Sequence, residues 1–342
     1  MNGRERLLAL FDGGAPDHVP AMPITMMFAG DTAGIPYREY ASDHEALAEA
    51  QIRTATEYGF DFVSGISDPA REASDLGATI EWFDNQPPAI NESRALLHDK
   101  SMLAKMEIPD PMRGKRMRDR IEAVRLLKRR VGDRLLIEGW VEGPIAMAAD
   151  LRGLNTLMLD FSDDPDFVRA LVDFVTEMEL RFALAQIEAG ADIIGVGDAA
   201  ASLVGPRRYA EFDVAASHRL FDGIRNGGGR ARLHICGNTR RIVREMGTYG
   251  AAVVDIDFLT PLAEARAAMP SQILLGNVDP VRVVRDGTPE SVQAAIAECH
   301  REAGPRYVVG AGCEIPRGTP PENVHAMIEY AIRSAPDRAQ TV

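Results

Sequence analysis

The sequence predicts a (β/α)8 barrel, the TIM-barrel fold, formed as a single domain over residues 1–342. Short apolar runs alternate with helical patterns eight times along the chain. The runs lack the apolar–polar alternation of a strand with one wet face, so both faces of each strand should be covered, as in parallel sheets. With 342 residues, 46% of them hydrophobic, the chain is long enough for one barrel-sized core. A doubly wound open sheet is the alternative architecture.

The same patterns give the boundaries of the elements. The predicted strands cover 18–24, 60–66, 134–140, 191–197, 231–236, 251–257, 272–278 and 306–312. The predicted helices cover 42–58, 116–131, 164–189, 206–225, 239–249, 261–269, 289–303 and 320–334. An amphipathic helix is expected at the N-terminus, and an inserted hairpin with a proline-rich loop is expected near 76–98.

Charge and composition exclude several classes of function. The net charge of −13 would repel a phosphate backbone, so we expect no nucleic-acid partner. No apolar run approaches the roughly 18 residues of a membrane span. The charged N-terminus lacks the apolar centre of a signal peptide, which predicts a cytoplasmic protein. Three cysteines, an odd number, favour reduced thiols over a disulfide framework.

Polar side chains follow several of the predicted strands. In a barrel, the carboxyl end of every strand opens onto one face, where active sites are built. Carboxylates at such positions also commonly cap the next helix, and for Asp198 capping or positioning is as good an interpretation as chemistry. The candidates on this face are Asp68, Glu142, Asp198, Asn277 and Asp279.

A metal site is a more specific hypothesis than a general group of polar residues at the strand ends. Residues two apart on a strand share a face, so His234 and Cys236 should lie side by side where their strand ends. Cys313 follows the last strand and supplies a third ligand of the kind that zinc prefers. Glu142 is a candidate for a fourth ligand that substrate displaces. Spacing alone leaves buried structural thiols equally open.

Several motifs together resemble the uroporphyrinogen decarboxylase superfamily over nearly the whole length of the chain. They are the segments "GPIAMAADLRG", "GADIIGVGDAAASLVGPRRYAEF", "HICGNT" and "LLGNVDP". The resemblance implies a (β/α)8 barrel. The decarboxylase's arginine-rich N-terminal signature is replaced here by "MPITMMFAGDTAG", which contains no arginine to hold a polycarboxylate substrate.

The His-x-Cys pair and the late "GAGCEIP" instead resemble the zinc-dependent, corrinoid-linked methyltransferase branch. This resemblance implies Zn²⁺ held by His234, Cys236 and Cys313, with Glu142 as a further ligand in one state. It implies methyl transfer between a corrinoid and a small thiol, ether, alcohol or amine. The corrinoid is expected on a separate carrier protein, because the chain lacks the D-x-H-x-x-G pattern of corrinoid carriers.

The remaining candidates take other roles in this interpretation. Asp198, Asn277 and Asp279 would support the metal site or position substrate. Asp68 matches the position of the decarboxylase's catalytic aspartate, so a cofactor-free decarboxylase is the alternative. A non-catalytic binding barrel is the third hypothesis.

Overall fold

The computed structural model describes residues 1–334, and at its centre is a curved sheet of parallel strands. The strands in chain order are β1 (Phe62–Ser64), β2 (Ile80–Glu81), β3 (Ala89–Ile90), β4 (Leu136–Glu142), β5 (Ile193–Gly197), β6 (Arg230–Ile235), β7 (Val253–Ile256), β8 (Leu274–Leu275) and β9 (Tyr307–Val308). The order in the central sheet is β1-β4-β5-β6-β7-β8-β9, with every neighbouring pair parallel. β2 and β3 form a separate antiparallel hairpin.

The segment predicted as the first strand closes the barrel without being a regular strand. Its backbone reaches both sheet edges: the Asp61 N–H donates to the Ala21 carbonyl, and the Val309 N–H donates to the Pro20 carbonyl. The prediction of a full strand over 18–24 is wrong in detail, because only Ala21 forms a β-bridge. Pro20 and Pro23 lack the N–H groups that a regular ladder requires. The barrel fold itself is confirmed.

Helices cover the outside of the sheet. They are α1 (Gly3–Phe11), α2 (Met27–Ala33), α3 (Tyr37–Ser42), α4 (His44–Tyr58), α5 (Arg71–Asp75), α6 (Arg116–Val131), α7 (Pro144–Arg152), α8 (Leu154–Asp163), α9 (Pro165–Ala189), α10 (Gly205–Arg208), α11 (Val214–Asn226), α12 (Val243–Met246), α13 (Leu262–Ala268), α14 (Pro289–Ala303) and α15 (Pro321–Arg333). Short 3₁₀ segments occupy Glu92–Arg94, Lys100–Lys105 and Ala199–Leu203, and π-helical segments occupy Tyr209–Asp213 and Pro280–Arg285.

Two predicted helices differ from the structure. The helix expected over 206–225 is interrupted by the π-helical segment Tyr209–Asp213, and only Val243–Met246 of the range 239–249 is α-helical. Apolar spacing does not distinguish a continuous α-helix from one with a π-helical segment or from a single helical turn flanked by loops. Among residues 1–334, no helix combines the length and apolar composition needed to cross a membrane.

Local sequence explains where two of the long helices begin. Asp43 accepts hydrogen bonds from the backbone N–H groups of Glu45 and Ala46 and so caps the start of α4. Asp164 caps α9 in the same way, and Pro165 occupies the first helical position, where its missing N–H costs nothing. These helices cover the outer face of the strands. The side chains that point inward at the carboxyl ends of the strands form the mouth of the barrel.

Candidate metal centre and active-site cavity

His234 and Cys236 lie together at the carboxyl end of β6. The register of β6 places His234 beside Gly197 of β5 and beside Asp255 of β7. The His234 Nε2 atom lies 3.1 Å from the Cys236 Sγ atom. Gly237 follows with φ of +91°, a left-handed conformation that glycine adopts without strain, so the chain turns away directly after the cysteine.

Cys313 reaches the same point from the loop after β9. A side chain at Gly312 would bring a Cβ atom within 2.4 Å of the Phe258 backbone nitrogen, so only glycine permits this close approach to the loop after β7. The two sulfur atoms of Cys236 and Cys313 are 3.7 Å apart. The three potential ligand atoms of His234, Cys236 and Cys313 all lie within 4.8 Å of one another.

These three side chains fit a tetrahedral zinc ion. Zn–S bonds of about 2.3 Å and Zn–N bonds of about 2.0 Å place tetrahedral ligand atoms about 3.5–3.8 Å apart. The observed spacing is close to this range without any movement of the backbone. It is also much longer than a disulfide bond of about 2.05 Å, and all three cysteines are free.

The three side chains differ in how readily each would lose the proton that metal binding displaces. The hydrogen bond with Cys236 lowers the pKa of Cys313 to about 4, and His234 contributes in the same direction. The same sulfur–sulfur hydrogen bond, followed by burial, raises the pKa of Cys236. Although burial opposes a charged imidazole, contacts with Cys236 and Asp255 raise the pKa of His234 well above its ordinary value. Cys313 is thus the side chain most ready to bind a metal as a thiolate, whereas His234 and Cys236 would each release a proton when a metal binds.

A buried charged layer lies directly behind the histidine. The His234 Nδ1 atom is 3.1 Å from Asp255 Oδ2, which leaves Nε2 facing the cysteines. Arg232, two residues before His234 on the same strand face, pairs with Asp255 at 2.5 Å and with Glu138 at 3.2 Å. All of these side chains are buried. A carboxylate on the second ring nitrogen is the usual support of a metal-binding histidine.

A cavity with a volume of about 170 Å³ opens beside the cluster. An apolar group separate from the main core lines part of it, namely Ile24, Ile66 and Trp140 with Met26 packed against them. Such walls exclude water and strengthen electrostatic interactions at the cluster. The arrangement suits a reaction at a metal ion with one position left for an exchangeable ligand.

Glu142 and Asp68 line this cavity, but each is bound to an arginine. Glu142 Oε1 accepts a hydrogen bond from Arg71 at 3.0 Å, and its carboxylate is outside the group of ligand atoms within 4.8 Å. Both oxygens of Asp68 accept hydrogen bonds from Arg116, at 2.8 and 2.6 Å. Burial would raise the pKa of Asp68, but Arg116 outweighs it and lowers the pKa. A ligand role for Glu142 thus requires its carboxylate to leave Arg71.

The other three candidates lie outside the group of potential metal ligands formed by His234, Cys236 and Cys313. Asp198 accepts hydrogen bonds from the backbone N–H groups of Ile145 and Ala146 and so fixes the start of α7. The Asn277 side chain donates to the carbonyls of Asp257 and Thr260. Asp279 accepts from the backbone N–H groups of Val281 and Arg282 at the start of the following helical segment. Asp198 thus caps the start of α7, and a part for it in the reaction stays a prediction.

Sequence reasoning missed a group of buried carboxylates next to the site. Glu72, Asp150 and Glu179 cluster around Glu142 and the buried Arg71. Burial, opposed in part by Arg71 and reinforced by Glu72, raises the pKa of Glu142 to about 8. Both carboxylate oxygens of Glu179 are buried without a hydrogen-bond partner. No spacing motif signals such a cluster, because its members come from separate helices and one strand.

The fold and the His234–Cys236–Cys313 cluster together define the class of protein. It is a barrel with a group of potential metal ligands, two of them thiols, at the mouth of the barrel. The chain belongs to the uroporphyrinogen decarboxylase (URO-D) family, whose profile matches residues 2–334. The sequence is 28% identical over 335 residues to the methylcobamide:CoM methyltransferase MtbA of Methanosarcina mazei, covering 96% of this chain and 97% of that protein.

Other relatives support the same assignment. The methylcobamide:CoM methyltransferase MtaA of Methanosarcina barkeri strain Fusaro is 25% identical, with 95% of this chain and 96% of that protein covered. A solved methyltransferase structure from Methanosarcina mazei superimposes with a TM-score of 0.88 at 23% identity, covering 97% of this chain and 98% of that one. A uroporphyrinogen decarboxylase of Synechococcus sp. strain CC9605 is 28% identical over 65% of this chain and 64% of that protein. The predicted resemblance to the methyltransferase branch is confirmed.

Proposed function

We propose that this chain is a zinc-dependent methyltransferase that moves a methyl group between a corrinoid and a small thiol, ether, alcohol or amine. The observation that carries the proposal is the His234–Cys236–Cys313 cluster, which opens into an apolar cavity at the barrel mouth. The relatives named as methylcobamide:CoM methyltransferases support the corrinoid and the transfer reaction.

When bound, zinc would supply Lewis acidity that removes the proton of a substrate thiol at neutral pH or polarises an ether or alcohol oxygen. The protein residues would tune that chemistry. The thiolates of Cys236 and Cys313 would balance the two charges of the ion, so a substrate sulfur would keep much of its electron density. Asp255 would orient the His234 ring. Trp140 and Ile66 would exclude water from the reacting groups.

The corrinoid would come from a separate carrier protein docking over the open end of the barrel. The sequence lacks the D-x-H-x-x-G pattern of corrinoid carriers. The names of the relatives are consistent with methyl transfer from a corrinoid in this family. The metal ligands serve methylation and demethylation of the substrate equally, so they do not select a direction.

The cofactor-free decarboxylase is less well supported. Asp68 would have to act as a catalytic group while both of its oxygens are held by Arg116. A polycarboxylate substrate would also meet a cavity lined by Asp68, Glu142 and Glu314, with no arginine or lysine among its described lining residues. That surface disfavours a polyanion.

The test combines metal analysis with methyl transfer from free methylcobalamin to a thiol. We expect about one zinc per chain and loss of the methylcobalamin absorption spectrum on addition of thiol. Cys236→Ser and Cys313→Ser should lose both properties. Cys299→Ser is the matched control, because Cys299 lies on α14 with its sulfur 3.7 Å from Asn277 Oδ1, outside the ligand cluster. A zinc-free wild-type chain that still transfers methyl groups would contradict the proposal.

A further inference from the structure

A second, larger cavity adjoins the cavity beside His234, Cys236 and Cys313. Its volume is about 500 Å³, compared with about 170 Å³ beside the metal cluster. The two cavities share the lining residues Pro69, Glu142 and Ala199, so they meet at the carboxyl end of β4. We call the larger cavity the groove. A cavity of about 150 Å³ is enough to hold benzene, so the groove has room for a substituted or bicyclic ring system.

The walls of the groove are mainly apolar. The inserted hairpin contributes Pro87, Pro88 and Ile90. Helix α7 contributes Ala146 and Ala149. An apolar lining of this kind suits an aromatic or other apolar body. Neither wall offers a fixed cation.

The charge around both cavities is acidic. Among the described residues that line either one, there is no lysine and no arginine. The groove instead contains Glu92, Glu142 and Asp150, and one buried oxygen of Asp150, Oδ2, has no hydrogen-bond partner. The nearby Arg71 is already bound to Glu72 and Glu142, so it is not free to receive an anion. Neither a carboxylate nor a neutral carboxylic acid supplies the positive charge that an anion needs.

We infer that the groove binds the body of the substrate, and that this body is uncharged, largely apolar and about the size of a substituted aromatic ring, with sulfonated and carboxylated molecules disfavoured. This inference rests on the proposed function, in which the reacting atom of the substrate faces the metal cluster. Asp150 Oδ2 would accept a hydrogen bond from an O–H or N–H group on the substrate.

The first experiment compares pairs of related thiols in which one member carries an anionic group and the other is uncharged. Zinc-loaded protein is assayed with methylcobalamin and either benzyl mercaptan or 4-(mercaptomethyl)benzoate, and then with 2-mercaptoethanol or 2-mercaptoethanesulfonate. We expect kcat/KM to be at least about tenfold higher for the uncharged member of each pair, because the charged member would lose its hydration in a cavity that offers no cation. Equal or better use of the anionic members would overturn the inference and leave the proposed function intact.

Binding of the same thiols, measured by isothermal titration calorimetry, separates the two hypotheses. If no thiol is methylated but benzyl mercaptan still binds at least about tenfold more tightly than its carboxylated analogue, methyl transfer to thiols fails and the charge preference stands. If neither aromatic thiol binds better than 2-mercaptoethanol, the groove does not hold the substrate body and the inference is wrong.

A substitution in the groove tests the location. Leu203 lines the groove and is 62% exposed, so a polar replacement there leaves the core unchanged. Leu203→Lys should narrow the preference for benzyl mercaptan over 4-(mercaptomethyl)benzoate several-fold, because it adds the missing cation. Leu203→Gln, of similar length and no charge, should leave the preference as it is. An identical preference in the Lys and Gln variants would contradict placement of the substrate in the groove.

Discussion

The Nδ1 atom of His234 lies 3.1 Å from the Oδ2 atom of Asp255, on the neighbouring barrel strand. Because this contact fixes which ring nitrogen faces the cysteines, Asp255→Asn should lower zinc affinity about 10–100-fold. Competition with a chromophoric chelator measures the affinity. Glu138→Gln is the matched control: Glu138 also binds Arg232 but does not contact His234, so its loss should leave zinc affinity unchanged. Equal losses of zinc affinity in both variants would mean that the buried charges of Asp255, Arg232 and Glu138 support the fold and do not act on the zinc site specifically.

Trp140 forms one wall of the metal cavity because β5 has glycine beside it. A Cβ atom at Gly195 would lie 2.1 Å from Trp140 Cε3, so Gly195→Ala must displace the indole. We expect a loss of about 1–3 kcal/mol in unfolding free energy. We also expect a shift in the fluorescence of Trp140, measured in a Trp82→Phe background because these are the two tryptophans of the chain. An unshifted emission spectrum would show that the indole is not held by this contact.

The buried pair Asp198–Asp213 makes stability depend on pH. Burial raises the pKa of Asp213 to about 6, whereas an unfolded aspartate has a pKa of about 3.9. The folded state therefore binds the proton more tightly, and the stabilisation present at low pH is lost as pH rises from about 4 through about 6. The difference corresponds to about 3 kcal/mol.

Asp213→Asn stays neutral at this position, so its stability should fall less steeply than that of wild type over that pH range, while the raised pKa of Asp198 still contributes a loss in both proteins. Its amide oxygen can still accept the hydrogen bond that Ser217 donates at 2.9 Å. Urea unfolding at several pH values between 4 and 7 measures the difference from wild type. Asp166→Asn removes an exposed carboxylate and should follow the wild-type profile. Parallel profiles for wild type and Asp213→Asn would contradict the raised pKa of Asp213.

Asp68 is expected to support the fold. Asp68→Ala leaves the buried Arg116 guanidinium without its carboxylate, which should cost about 3–5 kcal/mol of unfolding free energy. Zinc content should not change, because Asp68 is outside the ligand cluster. Chemical unfolding and metal analysis of the same sample check both statements. Turnover of uroporphyrinogen by the wild-type chain that disappears in Asp68→Ala would instead support the decarboxylase alternative.

The proximity of His234, Cys236 and Cys313 was accessible from sequence because it depends on two simple regularities, whereas the choice of a zinc site over buried thiols came from the family resemblance. Residues two apart on a strand share a face, which brings His234 and Cys236 together, and parallel strands end at one rim, which brings Cys313 to them. The barrel followed from the alternation of strands and helices. The closing segment 18–24 was only partly predictable, since its prolines reduce it to one bridge.

The buried charges were not accessible in the same way. Asp255 and Arg232 look like ordinary strand residues, and their pairing depends on the register between β6 and β7. Glu179 lies on a helix, and the sequence does not indicate whether its side chain faces solvent or the core. In the structure it is fully buried. Glu314 follows Cys313 and accepts from the Met27 backbone N–H at 2.7 Å, a contact between segments nearly the whole chain apart. Such pairs are set by tertiary packing, which carries no local signature.

X-ray absorption at the zinc edge of the purified chain tests the central claim most directly. The predicted spectrum has two sulfur ligands at about 2.3 Å and one imidazole nitrogen at about 2.0 Å, with one further light-atom ligand. Addition of a thiol substrate should raise the sulfur count from two to three. A coordination shell of nitrogen and oxygen atoms alone, or the same spectrum from Cys236→Ser and wild type, would contradict metal binding by His234, Cys236 and Cys313.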